Sequence, residues 1–435
     1  MPQLEDAKCS FLFCLGICIL ICSIIYLKTT VFDTPQAKSR MLTCRPFPQH
    51  CSALGHSRNG TRWQSAECHL EGYFMAPVLN CTQMWSDFHF ITRSLSKEEE
   101  EYPLAFVVTI HKELETFVRL LRAIYAPHNV YCIHVDRKAP EDYKKSVQLL
   151  AGCFDNVFLA TVSERVTYAG FSRLQADINC MSDLVKSSVR WRKVVNLCGQ
   201  DFPIQSNLEL VRYMQSKEWR DRNMTPGIKQ PKDKRYRTEF QYVEVDDAYV
   251  AQHKRGHRKS PPPHNLQMYF GTAYYSLTRA FVQFVLESPV AKDFLEWSKD
   301  TFSPDEHYWV TLNHIKDAPG SHLDGGWEGD IRAIKWKDQE GTAHNGCKGH
   351  YIRDICIYGI EDIPWIINKQ SMFANKFGIE TFPEALHCLE QWHRLKVLRQ
   401  AAVPIQPSWH LAHEVDSNQC CNNTAGLESN LLYLS

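Results

Sequence analysis

LAFVVTI, over Leu104–Ile110, is a run of apolar and β-branched residues, and directly after it the period changes. Leu114, Phe117, Val118, Leu121 and Ile124 recur at helical spacing, and NVYCIHVD over residues 129–136 is a second apolar run. Continuous apolarity marks a strand covered on both faces, so strand, amphipathic helix and strand make one βαβ unit. The alternation continues through NVFLAT (156–161) and RKVVNLCG (192–199), with helices expected over 141–150 and 172–187. It predicts a mostly parallel, doubly wound α/β sheet. Ligands of such sheets dock beyond the carboxyl ends of the strands. That puts Ile110-His111, His134-Val135-Asp136 and Cys198-Gly199-Gln200-Asp201 where a nucleotide would sit.

The alternation stops after Ile204. Residues 217–265 are polar, with basic clusters at 229–235 and 253–259 and the run Pro261-Pro262-Pro263, and read as a long surface excursion. A solvated loop is the plain expectation, and a mobile lid on the acceptor side the sharper one. MYFGTAYYSLT (268–278) reads as a strand, followed by helices at 279–287 and 291–298. SPDEHYWVTL (303–312) reads as a helix start with Ser303 as N-cap and Pro304 in the first turn. HYIRDICIYG (350–359) reads as a late strand, and an amphipathic helix near 383–400 closes the domain.

Upstream, Cys9 to Leu27 is uncharged for 19 residues between Lys8 and Lys28, close to the length that spans a bilayer. A cleaved signal peptide competes, but the run exceeds the usual apolar core of one and lacks a clear small-residue cleavage site. Lys and Arg fall on both sides of the run and do not orient it. Orientation comes from the N-x-[ST] patterns at Asn59, Asn80, Asn223 and Asn422, all beyond the run, and from 13 of the 17 cysteines, which lie outside it. That cysteine density fits an oxidising lumen, and no Cys/His spacing suggests zinc, so disulfides are the default. Lys plus Arg equal Asp plus Glu at 49 each, which removes any charge argument for nucleic acid.

Glu306, in SPDEHYW, is a carboxylate among aromatic residues, where desolvation raises proton affinity and suits a general base. Ser303 to Glu306 also fits the S-x-x-E capping box, which taken alone is the simpler expectation. Arg353 and Lys376 are cations able to stabilise a departing diphosphate, or merely to be solvated. No Asp-x-Asp occurs in the chain, so a metal-holding motif of that kind is lacking.

LLRAIYAPHNVYCIHVD, SRLQADINCMSDL, NLCGQDFPI, PPPHNLQMYFGTAYYSLTR, WSKDTFSPDEHYWVTLN, RAIKW and MFANKF occur in this order between about Ile91 and Trp409. In them the chain resembles the β-1,6-N-acetylglucosaminyltransferases that build core 2 and I branches, and TPG after Asn223 with PPPHNL leans to the I-branching side. The resemblance implies a GT-A-like, Rossmann-type nucleotide-sugar-binding domain in a single-pass type II Golgi membrane protein with its catalytic domain lumenal. It also implies inverting transfer from UDP-GlcNAc to the 6-hydroxyl of Gal or GalNAc in a glycoprotein or glycolipid, without cofactor or metal. The chain then divides into a cytoplasmic tail (1–8), an anchor (9–27), a stem and disulfide-tied lead-in (28–100), the catalytic domain (101–410) and a C-terminal tail (411–435), with a homodimer left open.

Residue by residue, the resemblance makes Glu306 the catalytic base, sets Arg353 and Lys376 on the UDP diphosphate, and places His111, Asp136 and Arg173 on the nucleotide side. Trp336 packs against the acceptor sugar, while Asp338 stands where a tyrosine is expected and residues 229–235 align poorly with the acceptor-contacting loop. It pairs Cys51 with Cys388, Cys81 with Cys153, Cys132 with Cys180 and Cys347 with Cys356, and leaves Cys198 free. Cys44 and Cys68 remain as a further pair. Transfer of another UDP-sugar such as xylose, and a catalytically silent Golgi glycan-binding protein, are the alternatives.

Overall fold

The elements β1 (Leu104–Ile110), α1 (Leu114–Ile124), β2 (Val130–Val135), α2 (Glu141–Ala151), β3 (Val157–Leu159), α3 (Phe171–Leu184) and β4 (Lys193–Cys198) follow one another as the alternation predicts. They belong to a computed structural model that describes residues 73–74, 79–245, 250–327 and 331–411. β1 pairs in parallel with β2 on one side and β4 on the other, so Ala105 lies opposite both Val130 and Val194, and β3 extends the sheet beyond β2. The chain grows outward from β1 through β2 to β3, then crosses back to lay β4 on the far side of β1. The reversal opens a crevice between the carboxyl ends of β1 and β4, the switch point at which open α/β sheets bind ligands.

Both faces of the sheet are covered, which is why its strands are apolar without alternation. Ala105 and Val107 join Leu174, Met181, Leu184, Tyr308 and Trp309 in one core, while Leu114, Phe117, Val118, Leu121 and Ile124 of α1 are all buried. Cys132–Cys180 ties β2 to α3, and Cys81–Cys153 ties the short helix Cys81–Asp87 of the lead-in to the end of α2.

Beyond β4 the chain makes β5 (Asp201–Pro203) and α4 (Asn207–Gln215), and enters the polar excursion. That excursion is more structured than a solvated loop. It contributes β6 (Gly227–Lys229), a helical turn at Tyr236–Glu239, and the antiparallel ribbon of β7 (Phe240–Val243) and β8 (Gln252–Arg258). The single strand expected over 268–278 is two: β9 (Tyr269–Gly271) pairs with β6, and β10 (Ser276–Thr278) returns to the main sheet antiparallel to β4. Close backbone contact accompanies the split, since a Cβ on Gly271 would lie 2.2 Å from the Pro226 carbonyl oxygen. The Thr272 hydroxyl then bridges to the Tyr274 carbonyl and turns the chain.

Helices α5 (Arg279–Glu287), α6 (Pro289–Trp297) and α7 (Asp305–Asn313) follow, then β11 (Arg332–Ala333), β12 (His350–Ile352), β13 (Ile355–Ile357), β14 (Phe373–Asn375) and α8 (Pro383–Arg399). The strand expected over 350–359 is a hairpin, because Arg353 and Asp354 both have positive φ (50° and 61°) and form the two-residue turn that a right-twisted pair of strands accepts. β14 lies between β11 and β5 over a second core of Phe202, Tyr358, Ile366, Phe377 and Leu386.

The segment 9–27 lies outside the described residues, as do Asn59, Asn422 and Cys51 with its pairing to Cys388, and Cys44, Cys68, Cys420 and Cys421. Among the described residues no helix is long and apolar enough to cross a membrane.

Candidate active site

Every residue of α7 except Glu306 is buried. Tyr308 and Trp309 contribute roughly 2–3 kcal/mol apiece by burial and fix the helix against the sheet. Glu306, in the first turn, is the one side chain of the helix with an opening to solvent, its side chain 31% exposed. The capping box is not formed. Pro304 occupies the N-cap position, no side chain caps the helix, and Ser303 stands outside it with φ of 47°, its N–H donating to the Ala169 carbonyl at 2.8 Å. Pro304 supplies no N-cap acceptor, so the Glu306 carboxylate is not spent on the helix end.

It meets Arg237 instead. The Arg237 guanidinium donates to Glu306 Oε2 and lies over the rings of Phe270 and Phe302 at 5.2 and 5.3 Å. Burial pushes the Glu306 carboxyl up to about 7, against the pull of Arg237 and with a further push from the adjacent Asp305. Arg237 escaped the sequence reasoning because it lies in the polar excursion, just past a basic cluster that gave no cue to a carboxylate 69 residues away.

Lys376 follows β14. Burial pushes its ammonium below the ordinary lysine range, and the positive charges of Arg353 and Lys112 push the same way while the Cys198 thiol opposes them. Arg353, at the hairpin tip, and Lys112, two residues past β1 and paired with Glu113 at 2.6 Å, thus both act electrostatically on Lys376. Arg353 projects from its turn with the guanidinium 4.3 Å from the Tyr168 ring centre. The ground beneath Lys376 is braced by Asp201, which is fully buried and accepts from the Cys198 N–H at 2.7 Å, from Asn375 Nδ2 at 3.0 Å and from Arg332 at 3.1 Å. Asp201 was marked in the sequence only by its place at a strand end, and Arg332 carried no functional signal there.

His111 immediately follows β1 at the switch point. Asp136 ends β2 and folds its own loop, accepting from the Lys138 N–H at 2.8 Å. Arg173 is committed within the protein: it pairs with Asp177 at 2.5 Å, and the charges of Asp177 and Asp305 hold its guanidinium protonated. It thus links α3 to the turn carrying Glu306. Trp336 is 37% exposed and bridges to Ile355 beside the Arg353 hairpin, while Asp338 lies exposed in the following turn. Cys347–Cys356 fastens that hairpin, and the fully buried pair of Lys335 and Asp362, 2.7 Å apart, anchors the chain just before Trp336. Cys198 is a free thiol, pushed up to about 12 by burial and by Asp201.

Two of the four sequons fall on described residues and differ. Asn80 is exposed and caps the helix Cys81–Asp87 through a 3.1 Å bond from the Gln83 N–H. Asn223 is 1% exposed, and its amide is used up: Nδ2 donates to Asn313 and to the Pro319 carbonyl, while Oδ1 accepts from the Thr278 N–H and hydroxyl. A glycan on this nitrogen would replace one of its two N–H groups, and with it the bond to Asn313 or to Pro319, at a position that is 1% exposed, so the fold disfavours Asn223 as an acceptor and favours Asn80.

A crevice at the switch point, with a carboxylate and several cations around it, is the arrangement of an α/β protein that handles a phosphate-bearing ligand. The Core-2/I-Branching enzyme family model matches residues 104–367, more than half of the chain, and the chain belongs to that family. It is 48% identical over 435 aligned residues to a human protein named probable β-1,3-galactosyl-O-glycosyl-glycoprotein β-1,6-N-acetylglucosaminyltransferase 7, covering 97% of this chain and 100% of the relative. It is 50% identical to human N-acetyllactosaminide β-1,6-N-acetylglucosaminyl-transferase, over 76% of this chain and 82% of the relative. To human β-1,3-galactosyl-O-glycosyl-glycoprotein β-1,6-N-acetylglucosaminyltransferase 3 it is 41% identical, over 75% and 76%.

Proposed function

We propose that the chain is a branch-forming, inverting β-1,6-N-acetylglucosaminyltransferase, taking GlcNAc from UDP-GlcNAc to the 6-hydroxyl of Gal or GalNAc in a glycan. The observation that carries the reading is Glu306: the one opening in an otherwise buried helix, with a proton affinity near neutrality and no part in a helix cap. The Arg237 bond to Oε2 leaves the other carboxylate oxygen to accept the acceptor's proton. As that proton moves to Glu306, the acceptor O6 forms its bond to C1 of the sugar. The C1–O bond to the diphosphate breaks with its electron pair leaving on UDP, and attack opposite the leaving group converts an α-linked donor into a β-linked product.

Arg353 and Lys376, with Lys112 close by, stabilise the charge that grows on the diphosphate. Fixed cations of this kind make a divalent ion dispensable, so transfer is metal-independent. His111 and Asp136 border the nucleotide side, and Trp336 the acceptor side. The partly buried Arg173, paired with Asp177, serves as a positioning residue for the Glu306 turn. Residues 9–27 anchor the chain in the Golgi membrane, with the catalytic domain lumenal.

Purified full-length protein is expected to transfer GlcNAc from UDP-GlcNAc to galactose-terminated oligosaccharides in excess EDTA, and to discriminate against UDP-xylose. Turnover restored only by manganese would remove the metal-free part. No turnover with any UDP-sugar would favour a silent glycan-binding protein.

A further inference from the structure

The second basic cluster of the polar excursion is β8, and no step of the transfer uses it. All seven of its residues are exposed. Lys254 and Arg255 have no acidic partner among the described residues, whereas Lys259, just past the strand, is paired with Asp300 and rests on Trp297. Among the described residues next to the ribbon, Glu244 is turned to accept from the Ser172 N–H at 2.7 Å.

Both ends of β8 are tied to the candidate site. At its start, the Ala251 N–H donates to the Tyr168 carbonyl at 3.0 Å, and the Tyr168 ring carries the Arg353 guanidinium. At its end, the Lys259 N–H donates to Glu239, in the helical turn that holds Arg237, and Tyr242 packs at 5.0 Å on Phe302. Between these ties β8 bulges away from β7: Phe240 lies opposite Arg258 and Tyr242 opposite His253, and Gly256 has a positive φ of 79°, so Lys254 and Arg255 stand on the bulge. The ribbon is thus held against the segments that carry Arg353, Arg237 and Glu306.

We propose that β8 is a subsite for acidic glycan, binding a carboxylate or sulfate ester on the acceptor chain beside the sugar that receives GlcNAc. The proposal rests on the transfer reading for its location and on the ribbon's own charge for its ligand. Exposed guanidinium and ammonium groups with no acidic partner among the described residues, on a bulge anchored at both ends, favour an oxyanion over a neutral sugar. The competing account of a charged edge is that it prevents strand-to-strand aggregation.

The test uses the full-length protein and three acceptors with one galactose-terminated core: neutral, bearing a carboxylate sugar, and bearing a sulfate ester. Equilibrium binding is measured alongside transfer from UDP-GlcNAc. Anionic acceptors should bind about three- to tenfold more tightly than the neutral one. The preference should shrink as salt rises from about 20 to about 300 mM. Lys254→Gln with Arg255→Gln should abolish it while leaving kcat on the neutral acceptor unchanged, and Lys254→Glu with Arg255→Glu should reverse it. A preference for both anions identifies charge as the feature read, and a preference for one identifies that group. Equal affinity for all three acceptors, or variants that alter aggregation but not affinity, would overturn the subsite. Charge-selective binding without transfer would overturn the transfer reading and leave the subsite standing.

Discussion

Residues 104–203 and residues 217–376 flank the same crevice but were built by different rules. In the first stretch β1 to β4 pair in parallel in one sheet, and their side chains are apolar because both faces of that sheet are covered. In the second, the strands are two to seven residues long; β6 with β9, β7 with β8 and β12 with β13 form small separate sheets, while β10 joins the main sheet and β11 and β14 pair with β5. The contrast bears on where the proposed chemistry lies. The regular half supplies the strand ends of the switch point, while the irregular half supplies the proposed site residues Glu306, Arg353, Lys376 and Arg237 from elements held by disulfide, buried ion pair and aromatic packing.

If the irregular half carries the reaction, Glu306→Gln should produce the largest loss. Transfer should fall by roughly a hundred- to ten-thousand-fold while UDP binding survives, because the amide keeps the shape but cannot take the proton. Titration of UDP into the variant beside a rate assay checks both. Loss of UDP binding or of folding would show that Glu306 supports the structure rather than the reaction.

Removing either cation comes next. Arg353→Ala and Lys376→Ala should each lower kcat by about a hundred- to thousand-fold, with no rescue by manganese. A variant at Lys376 that retained full turnover would transfer the diphosphate role back to the regular half, to His111 and the loop after β1.

A smaller effect is expected from Arg237→Gln, read in the pH profile. The wild-type rate should fall as pH drops below about 7, because a base must be unprotonated to act and burial holds Glu306 near that value. Arg237 lowers the proton affinity of Glu306, so its removal should move the acidic limb to higher pH. A limb that stays in place would mean that another group sets it.

The smallest effect expected is none. Peptide mapping after N-glycosidase treatment should find Asn80 modified and Asn223 unmodified. A glycan at Asn223 would require the bond from Nδ2 to Asn313 or to Pro319 to be absent and the side chain to be open to solvent in the folded protein.

How much was legible follows the same division. A strand covered on both faces must be apolar throughout, and a covering helix must repeat every three to four residues, so LAFVVTI and the stripe from Leu114 to Ile124 announced β1 and α1 to the residue. The positions of His111, Asp136 and Cys198 at strand ends followed from that. Glu306, Arg353 and Lys376 were named through the resemblance, since their local sequence allowed a helix cap and two solvated charges equally well.

Tertiary structure decided the rest, because those questions depend on which distant segments meet. Whether 268–278 was one strand or two depended on β6 and β4 as partners. Whether 350–359 ran straight depended on a turn of two non-glycine residues that a disulfide and a neighbouring segment hold in place. Sequons are read from three residues, but Asn223 became disfavoured only when four hydrogen-bonding partners from remote segments closed on its amide. The partnership of Arg237 with Glu306 had no sequence period to betray it, since an ion pair across 69 residues is set by the fold that places one charge opposite the other.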